Sequence, residues 1–285
     1  MRDYIILSDS GTDLTPAIAN ELDIRIIDLT VIMDGEDPKP DSAVDHKEFY
    51  AFLRSKKMAR TSAVNPETFS EIMEQYIKDG KDVLYIGFSS GLSNTYNAGR
   101  IAAEELREKY PDAKILTSDS LCASLGQGML VYLAAKKRLA GASIDEVHAW
   151  VEATKLHLCH QFTVDDLMFL KRGGRVSAAT AAVGTMLGIK PVMHVDNDGH
   201  LTKVGTARGR RASIDALFDK TAATVTEKDV MFICHGDCID DANYLAERVR
   251  NELGVKEVII GYTGVVIGSH TGPGTLAIFH IGTER

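Results

Sequence analysis

Short apolar runs alternate with helical patterns through the first half of the chain, and this alternation constrains the fold more than any other feature. Residues 4–7, 83–87 and 115–117 have the length and composition of buried strands. Helical patterns with their own start and stop signals lie between them. One such helix is predicted to be capped by Asn65, to begin at Pro66 and to stop at Gly80. This order predicts an α/β fold with a mainly parallel sheet and helices on its faces.

Three of these strands end in small hydroxyl or acidic residues. The ends are Ser8-Asp9-Ser10, Ser89-Ser90 and Ser118-Asp119-Ser120. In an open parallel sheet the ligand crevice lies at the carboxyl ends of the strands. We therefore expect a binding site along that edge.

The second half of the chain has a mixed pattern of hairpin and helix signals. Asn197-Asp198-Gly199 between two apolar runs predicts a β-hairpin, and residues 178–187 predict a tightly packed helix. We expect two domains, an N-terminal parallel-sheet α/β domain at residues 1–160 and a C-terminal mixed α+β domain at 161–285.

Four further local elements are predicted from the sequence. Residues 24–33 are rich in β-branched side chains and predict one strand, and Arg60-Thr61-Ser62 predicts a turn before a helix. Ser143-Ile144-Asp145-Glu146 has the form of a capping box, which opens a helix to about residue 158. Residues 269–274 predict a loop rich in glycine and proline.

Charge and cysteine content exclude several classes of function. The net charge of -8 disfavours a nucleic-acid or anionic-membrane surface. The four cysteines are too few for a disulfide framework in 285 residues, so a reducing compartment is expected. The first residues lack the apolar core of a secretion signal, and no apolar run has membrane-spanning length. We expect a cytoplasmic monomer without stable membrane insertion.

The turn at Gly87-Phe88-Ser89-Ser90-Gly91 allows two interpretations. It matches the Gly-x-Ser-x-Gly elbow of α/β-hydrolases, with Asp237 and His270 following in the order that a triad needs. A serine esterase that uses Ser89 is one hypothesis. Against it, Ser93 rather than Ser89 looks like the cap of the following helix.

The alternative is an anion site at the same turn. Hydroxyls and free N–H groups at a helix start suit a carboxylate or phosphate, with Ser93 as the cap and Thr61 and Ser62 approaching from another turn. His270 could pair with such an anion, since a histidine–carboxylate contact is charge-assisted when the ring is protonated. The same residues are also compatible with a third hypothesis, a carrier of another small anion.

Metal and polyanion sites are weaker candidates. The cysteines and histidines at residues 157–160 and 234–238 lack paired metal-ligand spacing, so we expect no metal. The basic groups Lys171-Arg172 with Arg175, and Arg208 with Arg210 and Arg211, suggest a local phosphate or protein contact.

The whole set of motifs resembles the DegV family of bacterial fatty-acid-binding proteins. The resemblance covers nearly the whole chain and departs at Asn94, where the family usually has glycine. The motifs are Ser8-Asp9-Ser10, Arg60-Thr61-Ser62, residues 89–96, Leu170 to Val176, Gly188-Ile189-Lys190-Pro191 and residues 270–274.

The resemblance implies a function as well as a fold. It implies that one long-chain fatty acid lies in a tunnel between the two domains. Its carboxylate would be held by Thr61, Ser93 and His270, with Ser62 nearby. It implies a partner, the ATP-binding subunit of a fatty acid kinase, which phosphorylates the carboxylate for phospholipid synthesis. Arg172 and Arg175 would contact phosphate or that partner. The carrier alone would be neither an enzyme nor dependent on a cofactor.

Overall fold

A computed structural model describes residues 2–178, 188–283 and 285. These residues form thirteen strands and ten α-helices. The strands are β1 Tyr4–Asp9, β2 Ile24–Ile27, β3 Thr30–Met33, β4 Lys39–Pro40, β5 Ala59–Ser62, β6 Asp82–Gly87, β7 Ile115–Asp119, β8 Leu158–Thr163, β9 Ile189–Val195, β10 Leu201–Arg208, β11 Val230–His235, β12 Glu257–Tyr262 and β13 Leu276–Ile281. The helices are α1 Pro16–Glu21, α2 His46–Arg54, α3 Pro66–Lys78, α4 Thr95–Lys109, α5 Leu125–Leu139, α6 Ile144–Thr154, α7 Leu167–Arg172, α8 Arg210–Thr224, α9 Ile239–Leu253 and α10 Val265–Thr271.

The first sheet is parallel throughout, with strand order β2-β1-β6-β7. Every residue of β1 and β6 is buried. Continuous burial of this kind is typical of a parallel sheet that is covered on both faces. Phe69 and Met73 of α3 pack on one face, and Leu130 of α5 and Val147 of α6 pack on the other.

The second sheet has six strands in the order β10-β9-β8-β13-β11-β12. Only the β11–β12 pair is parallel, so this sheet is mixed. The predicted hairpin joins β9 to β10. A parallel sheet followed by a mixed sheet confirms the predicted α/β fold class.

Helix α5 lies between the two sheets and shares one apolar core with both. Ile6 and Leu84 of the first sheet, Leu130 of α5, and Phe162 and Phe279 of the second sheet belong to a single cluster of buried side chains. Two glycines in α5 permit this close packing. A Cβ at Gly126 would overlap His160, and one at Gly128 would lie 2.6 Å from the carbonyl oxygen of Thr12.

A third, small sheet is antiparallel and has the strand order β4-β3-β5. Val31 of β3 packs with Phe49 and Tyr50 of α2 and with Val265 of α10. This sheet corrects two predictions. The Arg60-Thr61-Ser62 segment lies in β5 rather than in a turn, and residues 24–33 form two strands rather than one. The break occurs because the N–H of Leu29 donates to Ser10 Oγ at 3.0 Å, which turns the chain from one sheet into the other.

Two predicted helix starts are confirmed. Asn65 Oδ1 accepts the N–H of Thr68 at 2.8 Å, with Pro66 as the first helical residue. Ser143 and Glu146 form both hydrogen bonds of a capping box. That helix ends at Thr154, earlier than predicted, because the chain enters the second sheet at Leu158.

The predicted domain boundary at 160/161 lies within β8, and it stays a prediction. The helix predicted at residues 178–187 lies outside the described residues except for Ala178.

Candidate functional site

A cavity of about 200 Å³ lies between the first and second sheets. This is much larger than the roughly 10–15 Å³ that a single water molecule needs. Its wall on the side of the first sheet follows the carboxyl ends of β2, β6 and β7, with Leu29, Phe88 and Ala123 among its residues. The cavity therefore lies at the strand edge where the serine-rich ends predicted a site.

The opposite wall is a row of alternate residues on the second sheet. Thr275, Ala277 and Phe279 lie along β13 and the residue before it, and Phe162 is paired with Ala277 across to β8. Alternate residues of a strand face the same side, at about 3.4 Å of rise per residue. The four steps from Thr275 to Phe279 therefore give the wall a length of about 14 Å. This wall is elongated and mostly apolar.

A polar cluster of Thr61, Ser93, His270 and Arg175 forms part of the cavity wall. Thr61 Oγ1 and His270 Nε2 lie 2.8 Å apart, although the two residues are 209 positions apart in sequence. Ser93 and Arg175 line the same cavity. The guanidinium of Arg175 donates to the carbonyl oxygens of Gly173 and, at 3.0 Å, Leu92.

The prediction that Ser93 caps α4 is wrong, because Asn94 occupies the cap position. Asn94 makes no side-chain capping bond. Instead, Ser93 Oγ accepts the N–H of Thr95 at 3.2 Å and lies 2.9 Å from Thr95 Oγ1. The hydroxyl thus accepts one free N–H of the helix start while it lines the cavity.

His270 lies in the last turn of α10, and the predicted loop at residues 269–274 is therefore wrong in its first part. Burial lowers the pKa of His270 to about 4, and the nearby charge of Arg175 acts in the same direction. The ring is therefore neutral at pH 7. Its Nδ1 atom is buried without a hydrogen-bond partner among the described residues and lies against Gly173.

Two other predicted site residues lie outside the cavity wall. Ser62 is exposed, and its hydroxyl donates to the carbonyl oxygen of Ala63 at 3.4 Å. Arg172 is exposed, with its guanidinium 4.6 Å from the centre of the Phe169 ring. The structure thus brings together Thr61, Ser93, His270 and Arg175, and it leaves Ser62 and Arg172 beside the site.

The esterase triad is not assembled. Ser89 is fully buried, and its hydroxyl donates to the carbonyl oxygen of Gly199 at 2.9 Å. His270 pairs with Thr61 instead, and Asp237 forms an ion pair with Arg54. Ser89 therefore has neither of the partners that would activate it as a nucleophile.

The cysteine and histidine segments also have structural partners. Cys234 is buried in the cavity wall, where its sulfur accepts from the hydroxyls of Ser124 and Thr263. Within the described ranges, the closest set of metal-ligand atoms belongs to Asp196, Asp198 and His200. The carboxylate of Asp196 accepts the N–H groups of the other two, so these contacts close the hairpin turn.

Sequence reasoning missed the residues of the apolar wall. Ala277, Phe279 and Phe162 belong to strands that the sheet register aligns, and only the alternation along residues 275–281 offered a signal. The sequence offered His160 only as a weak candidate metal ligand. In the wall, its Nδ1 bonds the carbonyl oxygen of Leu158 at 3.0 Å, and its Nε2 accepts the N–H of Ala123 at 3.3 Å.

Comparison with known proteins gives consistent matches over the whole chain. The family model described as "Uncharacterised protein, DegV family" matches residues 4–283. A DegV domain-containing protein of Clostridium perfringens is 46% identical over 289 residues, covering 100% of this chain and 99% of that protein.

Solved structures show the same fold. A structure described as fatty acid binding of a DegV family protein from Thermus thermophilus has a TM-score of 0.88 at 29% identity, covering 98% of this chain and 99% of that chain. The fatty acid kinase B3 protein of Streptococcus pneumoniae, loaded with linoleic acid, has a TM-score of 0.88 at 21% identity, with coverage of 98% and 99%. At that identity the likeness concerns the fold alone.

In the part of the chain that the structure describes, no helix has the length and apolar character needed to cross a bilayer.

Proposed function

This chain belongs to the DegV family, and we propose that it binds one long-chain fatty acid in the cavity and presents the carboxylate to a separate kinase subunit. One observation carries the proposal: a mostly apolar cavity is lined by the polar cluster of Thr61, Ser93 and His270. The Thermus thermophilus relative is described as binding fatty acid, which supports the same ligand class here.

The apolar wall suits an acyl chain. Each methylene that leaves water contributes about 0.8 kcal/mol, so a long tail provides most of the affinity through its length. A small polar anion would gain nothing from the row of Ala277, Phe279 and Phe162. This favours a fatty acid over the other small anions that the sequence left open.

This polar cluster suits a carboxylate. A buried carboxylate needs hydrogen-bond donors, because its desolvation is otherwise costly. We propose that the Thr61 and Ser93 hydroxyls provide them, that His270 Nε2 holds the Thr61 hydroxyl in place by donating to it, and that the positive charge of Arg175 lies nearby. None of these groups needs to attack the ligand, and we propose a carrier that has no catalytic step and no cofactor of its own.

The kinase partner is proposed from the family resemblance. Its support in the structure is the position of the polar cluster, beside which Asn94 and Ala63 line the cavity and are exposed to solvent. A carboxylate held there lies near the surface. The exposed Arg172 and the half-buried Arg175 beside it provide positive charge for a phosphate or an acidic partner. We propose a cytoplasmic monomer as the working form.

Lipid extraction tests the carrier. The purified protein is denatured, and the extract is analysed by mass spectrometry; we expect about one fatty acid per chain. Delipidated protein is then titrated with a fatty acid and with the fatty alcohol of the same length. Ser93→Ala and His270→Ala should weaken binding of the acid, whereas Ser90→Ala, an exposed neighbour, serves as the control. An empty extract with no uptake of added lipid would refute the proposal.

A coupled assay tests the kinase step. The loaded protein is mixed with an ATP-binding fatty acid kinase subunit and ATP, and acyl phosphate is trapped with hydroxylamine. We expect trapped product only when both proteins are present. Lipid binding without any product would leave the carrier function standing and remove the kinase partner.

A further inference from the structure

Ser89, the central residue of the hydrolase-like motif, connects the turn after β6 to the second sheet. Its hydroxyl donates to the carbonyl oxygen of Gly199 at 2.9 Å and accepts the N–H of Gly91 at 3.2 Å. Gly199 belongs to the hairpin turn between β9 and β10. One buried hydroxyl therefore bridges the two sides of the cavity.

The two backbones are in close contact at this point. A Cβ at Gly91 would lie 2.8 Å from the carbonyl oxygen of Asp198, and one at Gly199 would overlap Ser89 Oγ. Gly199 also has φ +78°, which side chains rarely adopt. Val195 and Leu201, on either side of the hairpin turn, line the cavity. The same hairpin thus forms the wall and holds the turn.

Ser89 also fixes Ser93 through the backbone. The carbonyl oxygen of Ser89 accepts the N–H groups of Leu92 and Ser93, both at 3.1 Å. On the far side of the turn, Arg175 donates to the carbonyl oxygen of Leu92. The turn that carries Ser93 is therefore held by groups of the second half of the chain at two points.

We infer that Ser89 is a positioning residue for the carboxylate site. Its hydroxyl holds the turn of residues 89–93 against the β9–β10 hairpin, so that Ser93 Oγ faces the head group beside Thr61 and His270. The inference rests on the proposed fatty acid binding. It also gives the Gly-x-Ser-x-Gly match a role without any nucleophile.

The test separates recognition of the head group from binding of the tail. Dissociation constants are measured for a fatty acid and for the fatty alcohol of the same length, and their ratio isolates the contribution of the carboxylate. Ser89→Ala should reduce the preference for the acid by about fivefold, the effect of one neutral hydrogen bond, while the alcohol binds as before. Ser90→Ala is the matched control, because its exposed side chain takes no part in these contacts.

A double variant tests the route through Ser93. If Ser89 acts by placing Ser93, then Ser89→Ala should have little further effect on the ratio in a Ser93→Ala background. Independent effects that add in full would overturn the inference, as would an unchanged ratio in Ser89→Ala. If the native protein binds neither ligand, the proposed function itself fails, and this outcome is distinct from both.

A second variant approaches the same contact from the other side. Gly199→Ala places a Cβ against the Ser89 hydroxyl and should lower the acid-to-alcohol preference as Ser89→Ala does. Gly80→Ala is its control, since Gly80 has φ +81° with open space around it. Comparing Gly199→Ala with Gly80→Ala removes the effect of backbone strain, which both variants share. The comparison also replaces the Ser89→Ala measurement if that variant does not fold. An equal preference in both glycine variants would overturn the inference.

Discussion

The neutral His270 makes the stability of the ligand-free protein depend on pH. Its pKa is about 4 in the folded protein, against about 6.5 in an unfolded chain. Between these values the unfolded chain binds more protons than the folded one. The contribution to stability is therefore complete above pH 6.5 and is lost as the pH falls through 4.

The size of the effect follows from the two pKa values. Protonation of His270 in the unfolded chain should lower the free energy of unfolding by about 2 kcal/mol between pH 7 and pH 5. Other buried groups contribute to the same profile. The pKa of His280 is also lowered to about 4 by burial, whereas burial raises that of Asp9 to about 6 and that of Asp41 to about 7. The raised carboxyl pKa values act in the opposite direction, since their stabilising effect is lost as the pH rises.

A His270 variant separates the contribution of this histidine to the pH dependence of stability from the contributions of the other buried groups. Urea unfolding of the delipidated protein and of His270→Gln is followed at several values between pH 5 and pH 7. The stability difference between the two should change by about 2 kcal/mol across that range. His200→Asn, at an exposed turn, controls for the loss of a histidine in general. A difference that is constant with pH would refute the account of a buried neutral ring.

Three further predictions follow from close contacts in the site. Gly173→Ala should displace the His270 ring, because a Cβ there would overlap Nδ1; we expect weaker fatty acid binding by calorimetry, and unchanged affinity would contradict the contact. Ala277→Phe should fill the cavity and abolish co-purified lipid with the fold retained by circular dichroism, so lipid recovered in native amounts would exclude this wall as the tail site. Asp9→Asn should lower the free energy of unfolding by about 1–3 kcal/mol in urea, because one amide oxygen cannot accept every donor, including the N–H of Phe88 at 2.9 Å, that the carboxylate accepts. A native urea midpoint would show that these donors need no carboxylate.

Local signals in the sequence were sufficient for much of the fold. Helix starts depend on a few neighbouring atoms, and Asn65 and Ser143 therefore behave as predicted. Strand β8 was missed because Cys159, His160 and Gln161 do not form an apolar run. They are buried all the same, and His160 Nε2 accepts the N–H of Ala123 from a distant segment.

The site depends on contacts that no local pattern encodes. The Thr61–His270 pair forms only when β5 and α10 pack together, and residues around His270 suggested a loop. Ser93 was chosen for its position near a helix start, and it faces the cavity although Asn94 is the cap. Only the family resemblance predicted that Thr61, Ser93 and His270 lie together, and the packing of their elements explains why they do.

The position of helix α5 between the two sheets has a consequence for how the protein unfolds. Because one face of the helix contacts the first sheet and another the second, each sheet covers apolar surface that the other cannot cover alone. We therefore expect the two halves to unfold together as one cooperative unit. A cut at the predicted boundary would leave each fragment with an uncovered core, so we expect neither fragment to stay folded on its own.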